Sequence, residues 1–260
     1  MKISIKGIQD LSGRLKITIM SKREYMKEKL MGIFFPKVCP LCERVIKSSG
    51  DVCKKCDISK LLIARNRCYK CGKPLKGNDE ILCGDCRKIN HNFEKGVAVF
   101  EYKEEMKESV YRFKYGNQKA YGDFYGKIAA EKYGELLKRW QIDKIIPVPM
   151  YDKKKQKRGY NQAEEFGNRL GFYTGIETDN KSLIRIKDTI PQKGLSNEQR
   201  KMNMSDAFAV DVEKISNYKN VLLVDDIYTT GSTIDACSKI LIMAGVEKVY
   251  FVCIATGMDK

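Results

Sequence analysis

From residue 95 onward the apolar positions change period in a regular alternation. GVAVFEY (96–102) alternates apolar and polar positions and predicts a strand, and residues 104–115 carry a helical period. A longer helix is expected over 118–140, where Ile128, Ala129, Tyr133, Leu136, Leu137 and Trp140 recur at helical spacing. DKIIPVP (143–149) reads as a buried strand running into prolines, and RGYNQAEEFGNRLG (158–171) as a helix ended by Gly171. NVLLVDD (220–226) predicts a second buried strand, STIDACSKILIMAG (232–245) a helix stopped by Gly245, and EKVYFVCIAT (247–256) a last strand. Strands alternating with helices imply a parallel sheet of the α/β class.

The preceding segment has a different grammar. Four Cys-x-x-Cys pairs fall between Cys39 and Cys86: Cys39/Cys42, Cys53/Cys56, Cys68/Cys71 and Cys83/Cys86. Each such turn aims two sulfurs at one point, and two turns make the tetrahedral site that Zn²⁺ accepts from four thiolates. Eight cysteines therefore predict two zinc ions. Sequential pairing is the first choice, Cys39/Cys42 with Cys53/Cys56 and Cys68/Cys71 with Cys83/Cys86, although spacing alone leaves an interleaved pairing open. A redox dithiol or an iron–sulfur cluster suits one isolated pair better than four at near-even spacing. With every position filled by sulfur the zinc would be structural, supplying stability that so small a ribbon cannot draw from its own core. Residues 1–35 offer no chemistry. MSKREYMKEKLMGIFF (20–35) has an amphipathic pattern, so the extension is expected to be helical in part.

Charge enlarges the picture. Among 260 residues, 49 Lys and Arg face 33 Asp and Glu, a net charge of +16. Such an excess attracts polyanions, though a lysine-rich surface alone confers no specificity. No apolar run is long enough to span a bilayer, and the N-terminus lacks a signal-peptide pattern. A cytosolic chain with thiols kept reduced is expected.

The chemistry concentrates in VLLVDDIYTTGST, residues 221–233. An apolar strand covered on both faces delivers Asp225 and Asp226 to its carboxyl end, where parallel sheets place their ligands. Thr229, Thr230, Gly231, Ser232 and Thr233 then lead into a helix. Backbone N–H groups at that helix start, together with four hydroxyls, form a phosphate cradle, and the glycine permits close approach of the backbone. The carboxylates suit sugar hydroxyls or a bound Mg²⁺. Helix capping needs one such residue, not two aspartates and four hydroxyls. The P-loop spacing G-x-x-x-x-G-K and the dinucleotide fingerprint G-x-G-x-x-G are both missing.

This stretch resembles the phosphoribosyl pyrophosphate (PRPP) motif of type I phosphoribosyltransferases. The resemblance implies that Asp225 and Asp226 hold ribose hydroxyls and that Thr229 to Thr233 hold the 5-phosphate. It implies a pyrophosphate loop at Pro149, Met150 and Tyr151, and Mg²⁺ bound with PRPP. Some members place an aspartate base where this chain has Thr229, which argues against purine salvage.

The order of four Cys pairs, FKYGNQKAYG, PVPMYDKKKQKRGYNQAE and the PRPP motif is more specific. Over roughly residues 33–256 the chain is similar to the ComF family of competence-associated proteins. The resemblance implies an extension (1–35), a double zinc ribbon (36–92) and a type I phosphoribosyltransferase-like α/β domain (93–260). It also implies a role with incoming single-stranded DNA, and as partners PRPP or a related phosphosugar and a competence helicase or other DNA-processing protein. Whether the chain turns over PRPP as a pentosyltransferase stays open, and no catalytic base is assigned.

KKKQKRGYNQ (153–162) follows the proposed pyrophosphate loop. Arg158 and Lys157 are candidates to neutralise pyrophosphate, Arg through its planar fork. Alternatively Lys153, Lys154, Lys155, Lys157 and Arg158 track a nucleic-acid backbone, with Tyr151 and Tyr160 as stacking surfaces. The polar segment 192–208 reads as a closing loop or an ordinary connector. Within it Arg200 and Asn203 match ComF family positions without an assignable chemistry. His91, the single histidine, reads as structural or surface. Cys237 and Cys253 read as core residues, and Trp140 as a packing residue.

Overall fold

The structure, a computed structural model, describes residues 5–9, 15–19, 36–46, 50–64, 66–77, 80–187 and 207–258. The helix expected over 20–35 lies outside the described residues, as does the polar segment up to residue 206 with Arg200 and Asn203. The chain forms two compact units, Met1–Lys60 and Leu61–Lys260. The chemical division of the sequence near residue 92 thus differs from the physical one, because the second pair of Cys-x-x-Cys turns packs within the second unit.

In the first unit, β1 (Ile5–Gln9) and β2 (Leu15–Ile19) pair antiparallel, with Ile5 opposite Ile19 and Gly7 opposite Ile17. The helical pattern of the extension is confined to residues 20–35 and does not reach these strands. β2 alternates apolar Leu15, Ile17 and Ile19 with polar Lys16 and Thr18, a pattern that favours a strand over a helix. The first ribbon begins with a tight knuckle. The Cys39 N–H donates to Arg44 O (2.8 Å) and the Glu43 N–H to Cys39 O (2.8 Å), with Glu43 at φ +60°.

The second unit repeats this knuckle. The Cys68 N–H donates to Lys73 O (2.8 Å) and the Gly72 N–H to Cys68 O (2.9 Å), with Gly72 at φ +73°. Glycine suits this position twice over. The backbone is left-handed, and a Cβ would lie 2.7 Å from Val97 Cα.

The sheet has four strands: β3 (Lys95–Glu101), β4 (Lys144–Pro147), β7 (Asn220–Tyr228) and β8 (Lys248–Thr256), ordered β3-β8-β7-β4 and wholly parallel. The short strands β5 (Leu183–Arg185) and β6 (Phe208–Val210) form a separate antiparallel pair. The free edge of β3 is covered by the chain just before the knuckle, where the Glu101 N–H donates to Leu61 O (2.7 Å). Helix α1 (Gly84–Lys88) carries Cys86. Helix α2 (Glu104–Tyr115) buries Met106, Ser109, Val110 and Phe113, an i, i+3, i+4, i+7 set.

Helix α3 (Tyr121–Arg139) packs along α5 (Gln162–Thr174). Helices α4 (Asp152–Arg158), α6 (Val212–Ile215) and α7 (Ser232–Met243) complete the described set. Trp140 caps α3 and stacks on Tyr250 at 4.5 Å, a packing role. Cys237 and Cys253 are fully buried. One face of the sheet (Val221, Leu223, Phe251, Cys253) shares a core with Ile234, Cys237 and Leu241 of α7 and with Cys68, Cys71 and Cys83. No helix among the described residues is long and apolar enough to cross a membrane.

Candidate functional site

The eight paired cysteines gather as two groups, Cys39, Cys42, Cys53, Cys56 and Cys68, Cys71, Cys83, Cys86, with all sulfurs of a group within 4.8 Å of one another. Cys42 and Cys53 sulfurs are 3.5 Å apart, and those of Cys71 and Cys83 3.6 Å. A tetrahedral Zn²⁺ with Zn–S of about 2.3 Å requires sulfurs spaced close to this. In the second group, hydrogen bonding from neighbouring sulfurs, Cys71 first, drives the Cys68 thiol far down. The Cys68 sulfur, foremost among its neighbours, drives Cys86 far up. Four thiols so crowded cannot all ionise without a cation, so the donor set fits structural zinc in the sequential pairing.

The second candidate centre lies at the carboxyl end of β7. Pairing of β7 with β4 ends at Val224, while pairing with β8 continues to Tyr228. Asp225 and Asp226 therefore sit on backbone that is still extended but has passed the end of one neighbour. The pleat sends adjacent side chains to opposite faces. Asp226 meets Lys114 near the end of α2, Oδ2 to Nζ 2.9 Å. Burial opposes the charge on Lys114, but attraction to Asp226, and to Asp225 beyond it, outweighs burial and raises its pKa. Burial, and then the like charge of Asp226, push the Asp225 carboxyl up to about 7, against the opposing effects of the Asp226 N–H (2.8 Å), Lys114 and Arg185. Lys114 and Arg185 were not singled out in the sequence. FKYGN counted only as part of the stretch FKYGNQKAYG that carries the family resemblance, with no role for its lysine, and Arg185 gave no signal.

Beyond Tyr228 the chain turns through Thr229 and Thr230 to Gly231, at φ +85°, which caps α7. The hydroxyls of Thr230 and Ser232 share a hydrogen bond of 2.7 Å. Thr229 is exposed, and Thr230, Ser232 and Thr233 are half-buried. A left-handed glycine, two threonines and a serine thus open α7 beside the two carboxylates, an arrangement chemically able to accept an anion.

Pro149, Met150 and Tyr151, all half-buried, leave β4 beside this centre, since the Val148 N–H donates to Val224 O (2.9 Å). Most of the basic segment, through Arg158, forms the seven-residue helix α4. Its lysines are not equivalent. Lys153 and Lys157 are exposed and Lys154 is half-buried, while Lys155 pairs with Glu164 at 2.9 Å. Arg158 donates to Gln162 Oε1 (2.9 Å) and Tyr115 Oη (3.0 Å) and lies over the Tyr115 ring.

Tyr160 is corrected as a stacking candidate. It is buried, and its hydroxyl donates to the Phe113 carbonyl. The motif GYNQ acts instead as a clamp. Gly159 ends α4 at φ +83°, and Tyr160 and Gln162 both donate to Phe113 O, next to Lys114. Asn161 caps α5 with its carbonyl oxygen while its amide donates to Val148 O (3.0 Å). One tetrapeptide thereby fixes both the lysine and the proline-rich turn. His91, read as structural or surface, is buried and bonded to Asp235.

With this geometry in place, comparison with known proteins identifies the lineage. The family described as Double zinc ribbon domain matches residues 30–87. The chain is 34% identical over 186 residues to Competence protein F of Haemophilus influenzae, covering 70% of this chain and 81% of that protein. It is 25% identical to DNA utilization protein YhgH of Salmonella typhi, covering 84% and 96%. Identity to Competence protein ComFC of Streptococcus pneumoniae is 26%, covering 76% and 84%. A parallel α/β unit carrying a four-cysteine centre, in one chain with a second four-cysteine ribbon, is the protein class that these features define. The chain belongs to the ComF family.

Proposed function

We propose that this chain is a ComF-type DNA-handling protein whose acidic pair and hydroxyl loop hold a phosphosugar of the PRPP type. The observation that carries the reading is the junction of β7 and α7. There Asp225 and Asp226, the latter paired with Lys114, stand beside a helix N-terminus ringed by hydroxyls. In this reading Asp225 and Asp226 take ribose hydroxyls and Thr229–Thr233 the 5-phosphate, while Pro149, Met150 and Tyr151 border the pyrophosphate. Mg²⁺ would enter with the ligand as its counter-ion. Arg158 is committed to Tyr115 and Gln162, so Lys153 and Lys157, both exposed, are better placed for a further anion.

The relatives named for competence and DNA utilization support single-stranded DNA as that anion. The net charge of +16 fits the same partner. Cleavage of PRPP to pyrophosphate with transfer to an acceptor is the alternative use of the site. Thr229, where some phosphoribosyltransferases carry an acidic base, favours binding over transfer to a purine.

The test is affinity for a single-stranded oligonucleotide at several salt concentrations. Each phosphate contact on single strands contributes about 0.7 to the salt slope, so Lys153→Ala/Lys157→Ala is expected to flatten it by about 1.4. An unchanged slope and affinity would remove α4 from the DNA surface. Pyrophosphate release dependent on PRPP and lost in Asp225→Asn would favour the transferase.

A further inference from the structure

A buried chain of contacts joins the second cysteine cluster to the phosphate loop. His91 follows Cys86 by five residues and has a fully buried side chain. Its Nδ1 lies 2.5 Å from Asp235 Oδ2, and the Asn92 backbone N–H donates to the other oxygen, Oδ1, at 2.8 Å. Asp235 stands in the first turn of α7, and its own N–H donates to Gly231 O (2.7 Å). Both carboxylate oxygens of the phosphate helix are thus tied to the segment that leaves the cluster.

The underside of the loop is equally crowded. A Cβ on Gly231 would lie 2.7 Å from Tyr228 Oη and 3.2 Å from His91 Cε1. His91 stacks on Phe93 at 4.7 Å, and the Phe93 and Tyr228 rings meet edge to face at 6.3 Å. From the knuckle itself, Lys73 pairs with Asp85 at 2.7 Å and stands 6.0 Å over the Tyr228 ring. His91 Nε2 and Tyr228 Oη are buried without a hydrogen-bond partner among the described residues. Burying such atoms without a partner is unfavourable. Packing of α7 does not require this arrangement, because Ile234, Cys237 and Leu241 already bury its apolar face. The polar ties act at its first turn, where the anion cradle is.

We infer that His91, through Asp235, is a positioning residue for the phosphate loop, and that the second zinc centre is thereby a working part of the phosphosugar site. This rests on the phosphosugar reading given above. It assigns the single histidine a role in aiming backbone N–H groups, and none in proton transfer. Orientation by a second layer of contacts is how such cradles keep their donors aimed.

The experiment compares full-length, zinc-loaded wild type with His91→Phe and His91→Asn. Phenylalanine keeps a ring stacked on Phe93 but removes the bond to Asp235, whereas asparagine can return an amide donor near the position of Nδ1. Amide exchange of Thr230–Thr233 is followed by mass spectrometry without ligand, and Mg–PRPP affinity by calorimetry. All three proteins are expected to hold two zinc ions. In His91→Phe, loop exchange should quicken at least tenfold and affinity fall at least tenfold, with His91→Asn recovering most of both. Unchanged exchange and affinity in His91→Phe would overturn the proposal. So would failure of His91→Asn to recover either. If wild type does not bind Mg–PRPP, the phosphosugar reading falls, and exchange alone decides whether His91 positions the loop. Should His91→Phe lose zinc, Asp235→Ala, which leaves every cysteine in place, is measured in the same way with the same expectation.

Discussion

Lys114 Nζ lies 2.9 Å from Asp226 Oδ2, and this pair joins two motifs more than a hundred residues apart. The lysine is held from behind, since Tyr160 and Gln162 both donate to the carbonyl of Phe113, the residue before it. It lowers the cost of keeping two adjacent carboxylates in one partly buried site. Lys114→Met is expected to weaken Mg–PRPP binding at least tenfold at pH 7.5 and, by leaving Asp226 without its ion pair, to lower the melting temperature by a few degrees. Calorimetry checks this, and an unaltered affinity would show the lysine to be a structural ion pair only.

Asp225 links function to pH-dependent stability. Its folded pKa of about 7 lies above the free value of 3.8, so protonation favours the fold. That contribution is complete below about pH 4 and is lost as pH rises through about 7. Asp225→Asn cannot ionise and should escape the loss. At pH 8 its melting temperature is expected to exceed that of wild type by about 2–4 °C, an advantage that shrinks as pH falls and vanishes only near pH 4, where Asp225 is protonated in both the folded and the unfolded chain. Parallel melting profiles for the two proteins would contradict the assignment of a raised pKa.

Gly231 carries a conformational and a steric demand together. At φ +85°, with Tyr228 Oη 2.7 Å from a notional Cβ, alanine must displace the loop. Gly231→Ala should reduce phosphosugar affinity at least tenfold. Removing the obstructing hydroxyl in Gly231→Ala/Tyr228→Phe should recover part of the loss, because the strained φ remains. No recovery at all would place the whole cost on the backbone angle.

The two metal centres should fail differently. Cys83 is fully buried in the core that includes Phe93, Tyr228 and Phe251. Cys83→Ser is expected to bind one zinc per chain and to lower the melting of the sheet unit by several degrees. Cys39→Ser should also bind one zinc but leave that transition close to wild type. Metal analysis with calorimetric melting separates the outcomes, and equal destabilisation by both substitutions would contradict the division of the chain at Lys60.

The strong periodic signals were legible in the sequence. Val221–Val224 is a buried strand, residues 232–243 are helical, and each Cys-x-x-Cys turn found its sequential partner, because each depends on neighbours along the chain. What depends on distant neighbours was hidden. Lys114, His91 and Asp235 have ordinary local contexts, and only the β3-β8-β7-β4 order sets Lys114 against Asp226 and His91 against Asp235. Tyr160 misled for the same reason. An aromatic residue in a cationic run suggests base stacking, but its hydroxyl had a carbonyl waiting 47 residues earlier. The alternation of Leu15–Ile19 in β2 was legible and was passed over for the amphipathic pattern that follows it.

The most direct measurement is calorimetric titration of the zinc-loaded full-length protein with PRPP and Mg²⁺, beside Asp225→Asn/Asp226→Asn. Saturable binding by the wild type, abolished in a double variant that melts normally and keeps two zinc ions, is the expected result. No binding by a folded, zinc-loaded wild type would contradict the phosphosugar site and leave single-stranded DNA as the ligand of this surface.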